Sequence, residues 1–244
     1  MYGNISVTCE NLSQEERKDK LDIYRFVGYN ILIITLTYSP SKDYRAILHD
    51  IRGQTPLKVY GKILLHPKSI KNLKNLLSTL KKYPEFLISI HCTDKDILTF
   101  AINDSRIDSI QFPNIYELSY VTPGIVSLLN SNNKSIEISL KDVFKSKIHD
   151  RSRLFHEMGK FLALIKNKTH IVVYGGYEDS IFEIRGPHEI ISIFKAIFDL
   201  SISCSKMLVQ SNPERICATL HQREENPNFS KDVKIVDATS KEGK

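Results

Sequence analysis

Ser135-Ile136-Glu137-Ile138-Ser139-Leu140, then Arg151-Ser152-Arg153 at the head of a long amphipathic run, then Ile171-Val172-Val173-Tyr174-Gly175-Gly176, decides the fold. The two outer segments are β-branched and apolar enough to be sheet core. The run between them keeps Leu154, Met158, Phe161, Leu162 and Ile165 on one helical stripe. Strand, helix, strand of this kind is a βαβ unit, and its parallel strands are buried on both faces. Ligands of such folds meet the loops at the carboxyl ends of the strands, so chemistry is sought there first.

The same alternation extends in both directions along the chain. Before the unit, strands are expected at residues 5–9, 31–36, 58–65, 86–91 and 109–112; after it, a weak eighth strand is expected at 200–202. Helices are expected over 15–27, closed by Gly28, from near Ser41, after the caps Ser69 and Asp94, and over 114–130 with a break at Pro123-Gly124. Gly186-Pro187 puts proline at the first position of another, and a last one starts near Pro213. Eight β/α repeats predict an α/β fold, a TIM-like (β/α) barrel imperfect at strand eight, with a doubly wound sheet as the alternative. Residues 1–225 read as a single α/β barrel domain and 226–244, polar and aperiodic, as a flexible tail.

Composition narrows the class. With 41% hydrophobic and 25% charged residues among 244, the chain has the material for a sizeable core. No apolar stretch is long enough to span a bilayer and the amino terminus lacks a signal-peptide pattern, so a cytoplasmic protein with no membrane partner is expected. Cys9, Cys92, Cys204 and Cys217 stand apart, without zinc-ligand spacing, and read as buried thiols. Lys and Arg number 34 against 28 Asp and Glu, a net charge of +6 that leans toward a polyanionic partner.

The strand ends of such a barrel offer Cys9, Tyr38, His66, His91, Phe112, Glu137 and Tyr174, a poor catalytic set. His66, His91 and Glu137 are the one combination that could hold a metal, but their spacing is long and no HxH or HxD pair marks strand one. The phosphate loop GxxxxGK[ST], the dinucleotide fingerprint GxGxxG after strand one and the hydrolase elbow GxSxG are all missing. Basic residues stand out instead. Arg153, Lys160 and the Asn167-Lys168 region share the helix face opposite the apolar stripe, and Arg185 precedes Gly186-Pro187 at a helix amino terminus that favours anions.

Arg106-Ile-Asp-Ser-Ile-Gln-Phe-Pro, Ile136-Glu-Ile-Ser-Leu with Arg151-Ser-Arg153, Ile171-Val-Val-Tyr-Gly-Gly, Ile184-Arg-Gly-Pro and Ser211-Asn-Pro-Glu follow one another in an order that resembles the ribonuclease P protein component 3 family. This is the thirty-kilodalton subunit of archaeal and nuclear RNase P. The resemblance implies a barrel similar to the PHP phosphoesterases but without their complete metal site, and an archaeal source. It implies a subunit of the ribonucleoprotein endonuclease that removes the 5′ leader from precursor tRNA, with catalysis left to the RNA, no catalytic residue in the chain and an inactive isolated protein. No cofactor is expected on the chain itself, magnesium entering through the RNA. Partners would be RNase P RNA, precursor tRNA through the holoenzyme, a small RRM-like subunit and other RNase P proteins. Arg106, Arg151, Arg153, Lys160, Lys168 and Arg185 become the candidate RNA-binding residues, against the alternative of a stand-alone PHP-type phosphoesterase using His66, His91 and Glu137. The chain departs from the family pattern at Tyr174-Gly175-Gly176 and at Gly186.

Overall fold

Seven strands, each followed by helix, build the sheet: β1 Gly3–Thr8, α1 Gln14–Phe26, β2 Ile31–Thr37, α2 Tyr44–Arg52, β3 Lys58–Leu65, α3 Ile70–Thr79, β4 Leu87–His91, α4 Lys95–Asn103, β5 Ser109–Gln111, α5 Pro123–Ser131, β6 Ser135–Ile138, α6 Lys141–Lys145, α7 Ile148–Leu164, β7 Val172–Tyr174, α8 Pro187–Phe198, α9 Ile202–Val209 and α10 Ser211–Glu225. The computed structural model describes residues 1–166 and 168–225; Asn167 and the tail 226–244 lie outside the described residues. All strand pairs are parallel, in the order β1-β2-β3-β4-β5-β6-β7, so the sheet winds in sequence order as in a TIM-like barrel.

Local chemistry explains the helix starts. Ser13 and Glu16 close a reciprocal capping box on α1, Asp43 accepts from Arg45 N and Ala46 N, Ser69 from Asn72 N, and Asp94 from Asp96 N and Ile97 N. Each such cap contributes about 1 kcal/mol. Gly28, at φ 103°, ends α1 in a conformation that side chains rarely adopt. The expected break at Pro123-Gly124 lies slightly earlier: a 3-10 turn over Ile115–Tyr120 ends, Thr122 caps, and Pro123 opens α5.

The predicted eighth strand at 200–202 is the turn and N-cap that lead into α9. Asp199 is left-handed at φ 52°, Leu200 turns inward, and Ser201 Oγ accepts Cys204 N–H at 3.1 Å to start α9. A run of three was too short to show its period, and the serine decided it as an N-cap. Without that strand, β7 and β1 have no ladder between them. The chain after β7 bridges the upper part of that gap with two hydrogen bonds to β1: Tyr177 N donates to Ser6 O at 2.9 Å and Gly176 N to Asn4 Oδ1 at 3.0 Å. Glu178 follows, buried, accepting from Tyr24 OH at 2.5 Å, while its carbonyl takes Lys20 Nζ at 2.8 Å. Burial raises the Glu178 carboxyl above its usual range, against the hydrogen bond from Tyr24 and the charge of Lys20.

Two apolar cores result. The larger packs helices on the outer face of the sheet, around residues such as Leu32, Ile63, Ile88, Ile136 and Phe161. The smaller fills the lower lumen, where Ile5, Ile31, Ile33, Leu87 and Val173 meet Ile216, Cys217 and Leu220 of α10. α10 is the plug of the barrel. Asn212 Nδ2 ties it to Val172 O at 2.5 Å, and Arg223 pairs with Asp108 at 2.7 Å. Cys9, Cys92 and Cys217 are buried free thiols and Cys204 is half-buried. Among the described residues no helix is long and apolar enough to cross a membrane.

Candidate functional site

Inward positions alternate along the barrel strands, apart from a register irregularity in β1 between Asn4 and Val7 that brings Ser6 inward as well as Ile5, and at mid-height they are polar. Ser6 of β1, Lys62 of β3, Ser89 of β4, Ser109 of β5 and Glu137 of β6 converge there, all buried. The Glu137 carboxylate is their hub. Its Oε2 accepts from Lys62 Nζ at 2.6 Å and Ser6 Oγ at 2.7 Å, and from Tyr177 OH; its Oε1 accepts from Ser89 Oγ at 2.8 Å and Ser109 Oγ at 2.5 Å. Lys62 also lies 5.1 Å from the Tyr177 ring centroid, and Nζ touches Ser6 Oγ.

Burial disfavours both charges. For Glu137 that penalty is outweighed by the Lys62 charge and by hydrogen bonds from Lys62, Ser109 and Tyr177, which hold the carboxyl below its ordinary range. The lysine is pulled down by burial against the pull of the glutamate. Both oxygens of the Glu137 carboxylate are engaged, so the middle of the lumen holds a self-neutralised ion pair. Sequence reading missed it, although a lysine two residues after Tyr60 and two before Leu64, on the inward side of an apolar parallel strand, was the available signal.

His66 and His91, above this network at the carboxyl ends of β3 and β4, do come together: their Nδ1 atoms are 3.0 Å apart with the rings at 90°. One ring must donate and the other accept. Burial lowers both, and the neighbouring His66 helps bring His91 down to about 4. Glu137 does not complete a metal triad with them, because both of its oxygens are bound by Lys62, Tyr177 and three serines. Among the described residues no group of three or more His, Cys, Asp or Glu is arranged to hold a metal ion.

The six basic candidates are scattered. Arg106 forks onto Asp104, Nε to Oδ1 at 2.9 Å and Nη2 to Oδ2 at 2.6 Å, in the turn leading into β5. Arg151 curls back to cap α6, donating to Val143 O at 3.1 Å and Ser146 O at 2.9 Å. Arg153 is exposed and stacks over Tyr116 at 5.8 Å, while Lys160 pairs with Glu157 at 2.9 Å. Lys168 Nζ reaches Ser127 Oγ at 3.5 Å. Arg185 donates to Phe182 O at 2.9 Å and lies over Phe144 at 5.5 Å. Gly175 and Gly176 are pressed against Ser6 and Glu178, whereas Gly186 sits under the end of α1, where an added Cβ would be 3.0 Å from Val27 O. The glycine pair and the Arg-Gly-Pro turn therefore do not share one anion cradle, and the amino terminus of α8 is occupied by its own Glu189, whose Oε2 accepts Gly186 N at 3.0 Å.

These features define a parallel (β/α) barrel with a buried ion pair in the middle of its lumen. The family model for RNase P subunit p30 matches residues 1–225, and the chain belongs to that family. It is 24% identical over 164 residues to ribonuclease P protein component 3 of Methanococcus vannielii, covering 65% of this chain and 70% of that one. The namesake from Methanococcus maripaludis is 23% identical over 173 residues, 69% of this chain and 72% of the other. In fold, the chain is similar to one in the cryo-EM structure of archaeal ribonuclease P with mature tRNA, with a TM-score of 0.78 at 14% identity over 97% of this chain and 99% of that one. A putative 2-pyrone-4,6-dicarboxylic acid hydrolase from Pseudomonas putida shares the fold more loosely, with a TM-score of 0.55 at 12% identity over 82% and 86% of the two chains.

Proposed function

We propose that the chain is a protein subunit of an archaeal-type ribonuclease P, the ribonucleoprotein endonuclease that removes the 5′ leader from precursor tRNA. The family match across residues 1–225 carries this reading. The lumen agrees with it: where a barrel hydrolase would keep a ligand-binding group free, this chain ties Glu137 to Lys62 at 2.6 Å. The phosphoesterase alternative loses its third ligand there.

In this role the chain contributes binding rather than chemistry. Cationic side chains neutralise phosphates, release counterions and lower the magnesium that the RNA needs to fold. Magnesium ions belong to the RNA, and a small RRM-like protein and other subunits complete the particle in the cytoplasm. Exposed Arg153 and Lys160, with Lys168 and Arg185, act as phosphate contacts. Arg106 and Arg151 shape the loops beside them through Asp104 and the α6 carbonyls.

Recovery of the tagged chain from its own cells tests the reading. One structured RNA able to process precursor tRNA should be enriched with it, together with a small basic protein. Recovery without any such RNA contradicts the proposal.

A further inference from the structure

We propose that the outer face of α3 and the turn after it is a docking surface for the phosphodiester backbone of the ribonuclease P RNA, a proposal that rests on the ribonuclease P reading. Residues 67–84 contain Lys68, Lys71, Lys74, Lys81 and Lys82 and no acidic residue at all. All five are exposed. Among the described residues none of them makes an ion pair, whereas Lys141, Lys145 and Lys160 elsewhere each have a carboxylate partner. The first acid after the segment, Glu85, is taken by Arg45 at 2.5 Å.

Helical geometry makes these charges one ladder. At 100° per residue Lys71, Lys74 and Ser78 of α3 fall on the same side, opposite the buried Leu73 and Leu77, and the 3-10 turn Leu80–Lys82 that follows buries Leu80 and exposes Lys81 and Lys82. From Lys71 to Lys82 the ladder runs about 16 Å, long enough to follow several phosphates of one strand. Aromatic rings support two of the stems: Lys74 Nζ lies 5.4 Å from the Phe100 centroid and Lys82 Nζ 5.0 Å from that of Tyr83. The Phe100 and Tyr83 rings restrict the stems of these lysines, so less side-chain freedom is lost on binding.

Two comparisons within the molecule separate this face from others. α7, which carries Arg151, Arg153 and Lys160, interleaves Asp150 and Glu157 with these cations, so its field is partly cancelled. The exposed large hydrophobic residues, among them Tyr116, Ile148 and Phe182, lie off α3 altogether. A protein partner needs an apolar centre to its interface, and a phosphate backbone does not.

The test is fluorescence binding of labelled RNase P RNA to the full chain across a salt series, for the wild type, for Lys71→Gln/Lys74→Gln/Lys82→Gln, and for Arg153→Gln/Lys160→Gln. The α3 triple variant should bind about tenfold or more weaker, with the slope of log affinity against log salt reduced by about two to three. An unchanged slope in the α3 variant overturns the proposal, and a reduced slope in the α7 pair alone reassigns the contact to α7. Polyglutamate displacing the labelled RNA as well as an RNA competitor of equal charge also overturns it, since the face would then suit any acidic polymer. If the wild type neither binds the ribonuclease P RNA nor stimulates reconstituted cleavage, the ribonuclease P reading itself falls. Circular dichroism confirms that each variant is folded.

Discussion

Lys62 Nζ lies 2.6 Å from Glu137 Oε2 in the middle of the barrel, with neither side chain exposed. A charge pair so placed has already lost its water, and its stability depends on both members being present. Removing one leaves an unpaired buried charge, at a cost of about 3–5 kcal/mol.

Lys62→Met should accordingly lower the unfolding free energy from urea titration by an amount in that range. Lys62→Met/Glu137→Gln should cost less than the two single changes added together, because the neutral amide no longer needs the ammonium while still accepting from Ser89 and Ser109. Simple additivity in urea titrations would show that the pair is not coupled.

Titration of His91 gives stability a second dependence. Its pKa is about 4 in the fold, against about 6.5 for a free imidazole. A base depressed by folding binds fewer protons in the native state than in the unfolded chain, so stability is complete above about pH 6.5 and declines as pH falls toward 4. His66, shifted the same way, adds to the slope. Thermal midpoints of His91→Gln should fall less than those of the wild type between pH 6.5 and pH 4.5. Parallel curves would refute the assignment.

Two glycines should respond to the same substitution with opposite signs. A methyl group on Gly61, on the outer face of β3, would run into the Phe86 ring, so Gly61→Ala overpacks the core by about 1–3 kcal/mol. Gly159 lies within α7 with nothing within 4 Å of the added carbon, and Gly159→Ala should stabilise by about 0.5–1 kcal/mol through helix propensity. Differential scanning calorimetry of both variants checks the pair.

Much of the fold was legible because its signals are local. Ser69 and Asp94 announced their helices, and the β-branched segments 31–36 and 58–65 could pack only as buried parallel strands. Residues 200–202 failed as a strand because a short apolar run has no measurable period and Ser201 serves equally as an N-cap. The site was harder. His66 and His91 were rightly brought to one end of the barrel, yet the partner that claims Glu137 comes from β3, 75 residues away in sequence, and no local pattern announces such a pairing. The commitment of Arg151 to the α6 carbonyls was equally invisible, since it depends on how the 146–147 turn folds back.

The central claim, that this barrel assists an RNA catalyst and does not itself cleave, is tested most directly by reconstitution. Precursor-tRNA cleavage should be measured with the RNA and the remaining protein subunits, with and without this chain, over a magnesium series, alongside the chain alone. The account predicts that omission depresses cleavage most at low magnesium, that excess magnesium partly restores it, and that the isolated chain is inactive. Cleavage by the isolated chain that is abolished in His91→Ala, or a reconstituted rate unaffected by omission at every magnesium concentration, would contradict it.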